Sequence, residues 1–327
     1  MSVVLGVDVG GTKVAAGPVD QAGTQLAPPL VEASRTEDTA TFLAGLELTL
    51  RRALDEFAGF SPKAVGLACA GTVDAQRGVV VGSPNLPLVD TPVAAMMEKA
   101  LRLRVVLEND ANAAVLAETV AGAAMGFRHV VMLTLGTGVG GGILLDGRVY
   151  HGARGGAGEL GHMVVQKGGL VCACGGHGCL EMYASGPALI RYAAAWIGNS
   201  ERDPGGVLGD LFTRGLLTGE AVAKLAHEGH PGATEAVREL GVWLGAGLVS
   251  VSNIFDPEII VVGGGVSALG EALLAPARDQ VRVSAMPPAR EKVLVVPARL
   301  GNSAGLVGAA LSVWGRPDWG AEGSVRA

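Results

Sequence analysis

Two segments of the chain share one pattern: an apolar strand, a glycine turn and a second apolar strand. The first covers residues 3–17 with the turn Gly10-Gly11-Thr12-Lys13, and the second covers residues 130–149 with the turn Gly136-Thr137-Gly138. The second segment also contains Asp146-Gly147, a dipeptide typical of tight hairpins. Because the pattern returns after about 125 residues, it predicts two related half-domains, each with a glycine-rich hairpin that can bind phosphate.

The glycine patterns differ from the common nucleotide-binding motifs. Residues 136–141 satisfy G-x-G-x-x-G, but a Rossmann site needs a helix directly after these glycines, and residues 143–145 continue as an apolar strand. No G-x-x-x-x-G-K-[ST] segment is present, which excludes a P-loop. A third cluster, Gly263-Gly264-Gly265, follows the apolar residues 259–262. It predicts close approach by a flat ligand such as adenine, with a plain strand-to-helix turn as the alternative.

Helical patterns lie between these strands. Residues 39–57 and 111–125 are predicted helices, and residues 240–253, which are apolar nearly all round, predict a buried central helix. The second of these helices follows Asn109-Asp110. Alternation of strands and helices is typical of an α/β protein.

Composition excludes several classes of protein. With 327 residues, 49% of them hydrophobic and 17% charged, the chain is long enough for one or two ordinary cores. A net charge of −6 without a Lys/Arg cluster argues against nucleic acid as a partner. The N terminus lacks the pattern of a signal peptide, and no apolar run reaches the roughly 20 residues of a membrane span. We therefore expect a soluble, cytoplasmic protein with no membrane partner.

Most of the cysteines lie in one loop. Three of the four, Cys172, Cys174 and Cys179, fall within eight residues, and His162 precedes them. Three thiolates and one imidazole are the ligands of a closed, structural zinc site. A disulfide or unligated thiols are the alternatives, which a cytoplasmic chain disfavours.

Other residues near this loop bear on the same hypothesis. His151 and His177 are the alternative imidazole ligands, and Cys69, on an apolar strand, is expected in the core. Glu159 and Glu181 flank the cysteines, so a bound zinc ion would hold both carboxylates in place.

Six segments follow one another in the chain: Asp8-Val9-Gly10-Gly11-Thr12-Lys13, Glu108-Asn109-Asp110-Ala111-Asn112-Ala113, Leu135-Gly136-Thr137-Gly138, Gly158-Glu159-Leu160-Gly161-His162, residues 172–181, and Asp256-Pro257-Glu258 with Gly263-Gly264-Gly265. Taken together and in this order, they resemble motifs of the ROK family of repressors and sugar kinases, and most closely those of its bacterial glucokinases. The resemblance implies an α/β fold of the actin-like, hexokinase-type (ribonuclease H-like) class, a two-domain ATPase fold with a cleft between the domains. Ala70-Gly71 stands where the family usually has Pro-Gly.

The resemblance also implies residue roles in phosphoryl transfer to a sugar. This reaction needs a base near the attacking hydroxyl group, with backbone amides and Mg²⁺ around the phosphates. Asp110, at the start of a predicted helix, fits the catalytic base, and a simple helix N-cap is the alternative. The implied sugar-binding residues are Gly71, Asn85, Asn109, Asp110, Glu159, His162 and Glu181.

The implied cofactors are ATP, Mg²⁺ and a structural zinc ion. The implied nucleotide-binding residues are Asp8, Gly10, Gly11, Thr12, Lys13, Gly136, Thr137, Gly138, Gly263, Gly264 and Gly265. Asp8 is expected near Mg²⁺ through water. Lys13 is either a donor to phosphate or a solvated strand residue.

We therefore expect ATP-dependent phosphorylation of glucose at the 6-hydroxyl group. Alternative substrates are N-acetylmannosamine, N-acetylglucosamine, fructose and mannose, and polyphosphate is an alternative donor. A non-catalytic sugar sensor of the repressor branch is the alternative from another class, although the first hairpin begins at Val3 and leaves no room for a DNA-binding extension. A generic actin-like ATP-binding protein is disfavoured by Glu159, His162 and Glu181.

Domain boundaries follow from the same reading. The first domain is predicted over residues 1–108, joined by a C-terminal helix at about 303–315. The second is predicted over residues 109–302 with the zinc loop at 158–181, and residues 316–327 are predicted to be a frayed tail. We also expect a homo-oligomer, a dimer or a tetramer.

Overall fold

The structure, a computed structural model, describes residues 2–315. Its strands are β1 (Val3–Val9), β2 (Lys13–Asp20), β3 (Leu30–Ala33), β4 (Ala64–Cys69), β5 (Thr72–Asp74), β6 (Val79–Gly82), β7 (Val89–Thr91), β8 (Arg104–Asn109), β9 (Val130–Leu135), β10 (Val139–Leu145), β11 (Arg148–Val149), β12 (Ile259–Gly263) and β13 (Leu294–Pro297). Its α-helices are α1 (Thr39–Glu56), α2 (Val93–Leu101), α3 (Asp110–Ala121), α4 (Glu181–Ala184), α5 (Gly186–Ala194), α6 (Val207–Thr213), α7 (Gly219–His227), α8 (Pro231–Phe255), α9 (Glu271–Ser284), α10 (Ala289–Lys292) and α11 (Ala304–Trp314). The predicted frayed tail lies outside the described residues.

Two of the described sheets have the same strand order. One runs β3-β2-β1-β4-β8 and the other β11-β10-β9-β12-β13. In the first sheet β1 pairs antiparallel with β2 and parallel with β4, and in the second β10 pairs antiparallel with β11 while β12 pairs parallel with β13. Each glycine hairpin thus occupies the same place in its own sheet, which confirms the predicted duplication. A smaller sheet has the order β5-β6-β7.

The chain divides into two compact units. Within the described residues, one comprises 2–132, 142–158 and 299–315, and the other comprises 133–141 and 159–298. The sequence-based division at 108/109 placed α3 in the second domain, whereas here α3 belongs to the first unit. The reason is close packing of α3 on α11, since a Cβ atom at Gly308 would lie 1.8 Å from the Ala113 carbonyl oxygen.

The core of the first unit lies between its larger sheet and helix α1. Asp38 caps this helix, since its Oδ1 atom accepts the Thr41 N–H at 2.8 Å. One face of α1 buries Phe42, Leu46 and Leu50. Each fully buried side chain of this kind stabilises the fold by roughly 1.5–3 kcal/mol. The sheet that carries Asp8 and Asn109 is thereby held rigid.

Helix α8 is the central helix of the second unit. It buries residues along most of its length, which confirms the predicted buried helix over 240–253. Gly241 permits contact with α9, because a Cβ atom there would lie 2.5 Å from the Leu273 carbonyl oxygen. Among residues 2–315, no helix combines the length and apolar composition that a membrane crossing requires.

Candidate functional site

The turn between β8 and α3 holds the predicted catalytic base. The Asn109 side-chain oxygen accepts the N–H groups of Ala111 at 2.9 Å and Asn112 at 3.0 Å. Asn109 is therefore the N-cap of α3, and the simple-cap alternative for Asp110 is wrong. The Asn109 amide nitrogen donates to the Gly71 carbonyl oxygen at 2.9 Å and to Asp110 Oδ1 at 3.0 Å. Three of the predicted sugar-binding residues, Gly71, Asn109 and Asp110, are thus joined by hydrogen bonds.

The Asp110 side chain is half-buried, and burial raises the pKa of its carboxyl group to about 6. The Ala111 N–H opposes this rise, and the negative charge of Asp8 adds to it. A carboxylate with a pKa near the working pH is suited to accept a proton, because it is mostly ionised yet basic enough.

Asp8 lies on β1 beside the start of helix α11. Burial raises the pKa of its carboxyl group, and the charge of Lys13 partly offsets the rise. A Cβ atom at Gly305 would lie 2.9 Å from the Asp8 carboxyl carbon. The absence of a side chain at Gly305 therefore leaves the room that this carboxylate occupies.

The first glycine turn is closed by its own backbone, because the Gly10 N–H donates to the Lys13 carbonyl oxygen at 3.0 Å. A Cβ atom at Gly11 would lie 2.6 Å from the Asn85 carbonyl oxygen, so the turn packs directly on the segment that carries Asn85. Lys13 is exposed. Asp8, the glycine turn and Asn85 are therefore neighbours within the first unit.

The second glycine turn is fastened to Glu181. The Gly136 N–H donates to the Gly138 carbonyl oxygen at 2.9 Å, and the Val139 N–H donates to Glu181 Oε2 at 2.9 Å. A Cβ atom at Gly138 would lie 2.4 Å from the same Glu181 oxygen. A glycine is thus required at position 138 for this carboxylate to reach the turn.

Within the third glycine cluster, Gly264 has a packing role. Gly264 has φ +83°, and a Cβ atom there would lie 2.3 Å from the Leu135 carbonyl oxygen on β9. A short 3₁₀ helix follows from residue 265. The close approach at Gly264 is made by strand β9.

The cysteine loop gathers the predicted metal ligands. One nitrogen of His162 and the Sγ atoms of Cys172, Cys174 and Cys179 all lie within 4.8 Å of one another. The Cys174 and Cys179 sulfur atoms are 3.6 Å apart, and Cys172 Sγ is 3.7 Å from His162 Nδ1. The other ring nitrogen of His162, Nε2, is 3.9 Å from Glu159 Oε2. The imidazole thus turns one nitrogen to the thiols and the other towards a carboxylate.

The alternative histidines have other partners. His177 Nδ1 is 3.4 Å from the Gly169 carbonyl oxygen, and His151 Nε2 is 2.8 Å from Glu108 Oε2. Cys69 is fully buried in the first core, as expected. Two neighbours of the site were not singled out from the sequence, Glu108 and Gly305. Glu108 had a signal, its place directly before Asn109, whereas nothing local marked Gly305.

The model of the ROK family matches residues 4–315. The glucokinase of Streptomyces coelicolor is 39% identical over 314 residues, which cover 95% of this chain and 97% of that protein. The crystal structure of a ROK family glucokinase from Streptomyces griseus in complex with glucose and AMPPNP has a TM-score of 0.82 and 39% identity, covering 94% of this chain and 98% of that one. These matches confirm the predicted α/β fold of the actin-like, hexokinase-type class.

A repressor is also similar to this chain. The xylose repressor of Bacillus subtilis is 27% identical over 245 residues, which cover 75% of this chain and 59% of the repressor. The chain is therefore similar to the glucokinase over nearly its whole length and to the repressor over a shorter part.

Proposed function

The chain belongs to the ROK family, and we propose that it catalyses the ATP-dependent phosphorylation of glucose at the 6-hydroxyl group, giving glucose 6-phosphate and ADP. The observation that carries this proposal is the state of Asp110. Its carboxyl group is half-buried and has a pKa of about 6, and it does not cap α3, because Asn109 fills that role. A sensor needs a sugar site but no such base.

Asp110 acts as the general base. It takes the proton of the 6-hydroxyl group as the hydroxyl oxygen attacks the γ-phosphorus atom and the bond to ADP breaks. Asn109 fixes Asp110 through its amide nitrogen, and Gly71 receives the second hydrogen bond of that amide. We propose that Asn85 adds a further polar contact to the sugar.

Glu159, His162 and Glu181 bind the other sugar hydroxyl groups. Their mixture of two carboxylates and one imidazole offers both acceptors and a donor, as a ring with several hydroxyl groups requires. Glu181 keeps the orientation of its carboxylate because Val139 donates to one of its oxygens.

The two glycine turns bind the phosphates of ATP through backbone N–H groups. The donors are the N–H groups of Gly11, Thr12 and Lys13 in the first turn and of Thr137 and Gly138 in the second. Gly10 and Gly136 close these turns through their own N–H groups, and residues 263–265 lie against the adenine. Mg²⁺, when bound, neutralises phosphate charge. Asp8, whose carboxyl group is buried, would hold it through water.

The four residues of the cysteine loop fit zinc. Sulfur ligands at about 2.3 Å from a tetrahedral ion lie about 3.8 Å apart. The 3.6 Å between the Cys174 and Cys179 sulfur atoms agrees with this value. The 3.7 Å between Cys172 Sγ and His162 Nδ1 agrees with the separation of about 3.6 Å expected for a sulfur and a nitrogen ligand. Four protein ligands leave no open position, so the ion would be structural, and it would fix the tautomer of His162 with Nε2 towards the sugar.

A coupled assay over a panel of hexoses and N-acetylhexosamines, with ATP and then polyphosphate as donor, tests the proposal. Glucose with ATP is expected to give the highest kcat/KM. Asp110→Asn is expected to lose activity, whereas Asp38→Asn, which changes an aspartate that caps another helix, is expected to keep it. Greater turnover with another sugar would replace glucose as the assigned substrate. No turnover with any sugar would contradict the proposal that the protein is a sugar kinase.

A non-catalytic sugar sensor is the second candidate, because a repressor matches part of the chain. The sensor hypothesis predicts that calorimetry detects glucose binding without phosphorylation, in the unmodified protein as well as in Asp110→Asn.

We also propose that the protein is a homo-oligomer, a dimer or a tetramer. Sedimentation equilibrium can measure the number of subunits directly.

A further inference from the structure

We propose that Glu108 and His151 are positioning residues for the Asn109–Asp110 turn, with His151 acting through Glu108. The inference rests on the proposed function of Asp110 as the base.

The contacts of Glu108 use both carboxylate oxygens. Oε1 accepts the Asn109 N–H at 2.9 Å and lies 3.2 Å from the Asn112 side-chain nitrogen. Oε2 is 2.8 Å from His151 Nε2. One side of the carboxylate therefore holds the turn and the first helical residues, and the other side holds an imidazole that comes from a segment 43 residues later in the chain.

The hydrogen bond to Asn109 bears on the orientation of Asp110. Asn109 caps α3 and donates to both Gly71 and Asp110 Oδ1. Its backbone N–H is fixed by Glu108, so the direction in which the turn presents Asp110 depends on the placement of this carboxylate. A displacement of about 1 Å at a reacting group can lower the rate about 10²-fold.

His151 has a specific part in this arrangement because Glu108 is buried, with only 7% of its side chain exposed. If His151 is removed, Oε2 of this buried carboxylate loses its partner, and the group either remains charged at a high desolvation cost or takes up a proton. In the first case the charged Glu108 carboxylate repels Asp110, two residues away. In the second case one carboxyl oxygen carries a proton and becomes a hydrogen-bond donor, so the group accepts fewer hydrogen bonds. Either outcome displaces the turn.

The geometry agrees with a polarised pair. The hydrogen bond to Glu108 raises the pKa of His151, burial of the imidazole opposes the rise, and the charge of Glu108 adds to it. The imidazole is 31% exposed, so it lies between solvent and the buried Glu108 carboxylate. An ordinary structural pair in the same place would affect folding but would not act selectively on the chemical step.

Four variants and a control test the inference. His151→Leu removes the donor and keeps the volume, and His151→Gln keeps a donor. Glu108→Gln keeps an acceptor for Asn109 and removes the charge, and it is also combined with His151→Leu. The control is His129→Leu, because His129 also lies near a carboxylate, Asp146 at 3.6 Å, but that pair is 40% and 75% exposed.

His151→Leu is expected to lower kcat about 10²-fold while the KM values for glucose and ATP change less than about twofold. His151→Gln is expected to recover most of the loss. In the Glu108→Gln background His151→Leu is expected to lower kcat far less, because no buried charge is left without a partner. The control is expected to keep its kcat. An unchanged kcat in His151→Leu, an equal loss in both backgrounds, or a rise in KM that matches the fall in kcat would each overturn the proposal.

A second measurement is independent of activity. Nuclear magnetic resonance is expected to show that the pKa of His151 falls in Glu108→Gln, and that the amide signals of Asn109, Asp110 and Asn112 shift in His151→Leu. Unchanged signals would overturn the proposal even if the unmodified protein phosphorylates glucose. If the protein shows no kinase activity but these signals move, the proposed function fails and the structural link stands. If His151→Leu does not fold, His151→Gln and Glu108→Gln provide the same comparison.

Discussion

The Glu181 carboxylate accepts the backbone N–H of Val139 at 2.9 Å, so one side chain joins the cysteine loop to the second glycine turn. The same carboxylate occupies the space that a Cβ atom at Gly138 would need. Cys172 Sγ lies 4.0 Å from its other oxygen. A residue proposed for sugar binding thus also supports a turn proposed for phosphate binding.

This link predicts that Glu181 has a second role, in the glycine turn, in addition to the sugar contact that it shares with Glu159. Glu159→Gln is expected to raise the glucose KM about 10-fold or more, with little change in the ATP KM, because removal of a charged partner leaves a desolvated hydroxyl group. Glu181→Gln keeps an acceptor for the Val139 N–H, so its kinetic effect is expected to be the same as that of Glu159→Gln. Glu181→Ala frees the turn and is expected to raise the ATP KM as well. Steady-state kinetics on both substrates decide this, and an unchanged glucose KM in all three variants would place the sugar elsewhere.

Asp110→Asn is expected to lower kcat at least about 10²-fold and to leave glucose binding nearly intact, since a general base contributes to the chemical step. As the proposed base, the same group is expected to set a pH limit in the unmodified enzyme. Because Asp110 must be ionised to accept a proton, kcat/KM is expected to fall as the pH is lowered through about 6. A flat profile between pH 5 and pH 8 would argue against Asp110 as the base.

The same substitution is expected to stabilise the fold. The pKa of Asp110 is raised from 3.8 to about 6, so the folded state favours the protonated carboxyl group and its ionisation costs stability at higher pH. Asparagine has no such cost. The gain is at most about 3 kcal/mol at pH 8, and it decreases as the pH is lowered towards 4. Thermal unfolding at a series of pH values measures it, and a gain that is equal at every pH would contradict the assigned pKa.

The sequence predicted the parts of this protein that short motifs encode. Both glycine hairpins, the start of α3 after Asn109 and the composition of the cysteine loop are properties of adjacent residues. The predicted end of α3 was wrong. An alanine-rich run predicted a helix to residue 125, whereas α3 ends at Ala121. Glu118 Oε2 accepts the Ala123 N–H at 2.7 Å, so a side chain replaces the helical hydrogen bonds beyond Gly122.

Contacts between distant segments could not be predicted in this way. The Glu118 carboxylate also accepts the N–H groups of Arg299 and Leu300, and Glu108 meets His151 across 43 residues. Such pairs carry no local pattern, because they depend on how strands and helices pack. The sequence therefore indicated candidate residues for the site but not the residues that hold them in place.

Loss of metal is expected to disable the cysteine loop. Cys174→Ser is expected to lower bound zinc from one ion per chain to nearly none and to raise the glucose KM, because the loop that carries Glu159 and His162 is then released. Cys69→Ala is the control for metal content, since Cys69 is buried in the other unit. Metal analysis after dialysis against a mild chelator provides the measurement. A metal-free protein with full activity and unchanged heat stability would show that the four residues do not form a structural metal site.

Gly305→Ala is expected to disturb the Asp8 site while helix α11 persists. The new methyl group would lie 2.9–3.1 Å from the three carboxyl atoms of Asp8, closer than ordinary contact, so the carboxylate must move. If Asp8 holds Mg²⁺ through water, the KM for MgATP rises about 10-fold, since displacing a group that orients a metal ligand typically costs about that much affinity. Alanine has a higher helix propensity than glycine, so any loss of activity without loss of stability points to Asp8. Gly219→Ala, also near a helix start but with open space around it, is the matched control. An unchanged KM for MgATP in Gly305→Ala would contradict the proposal that Asp8 helps to bind the nucleotide.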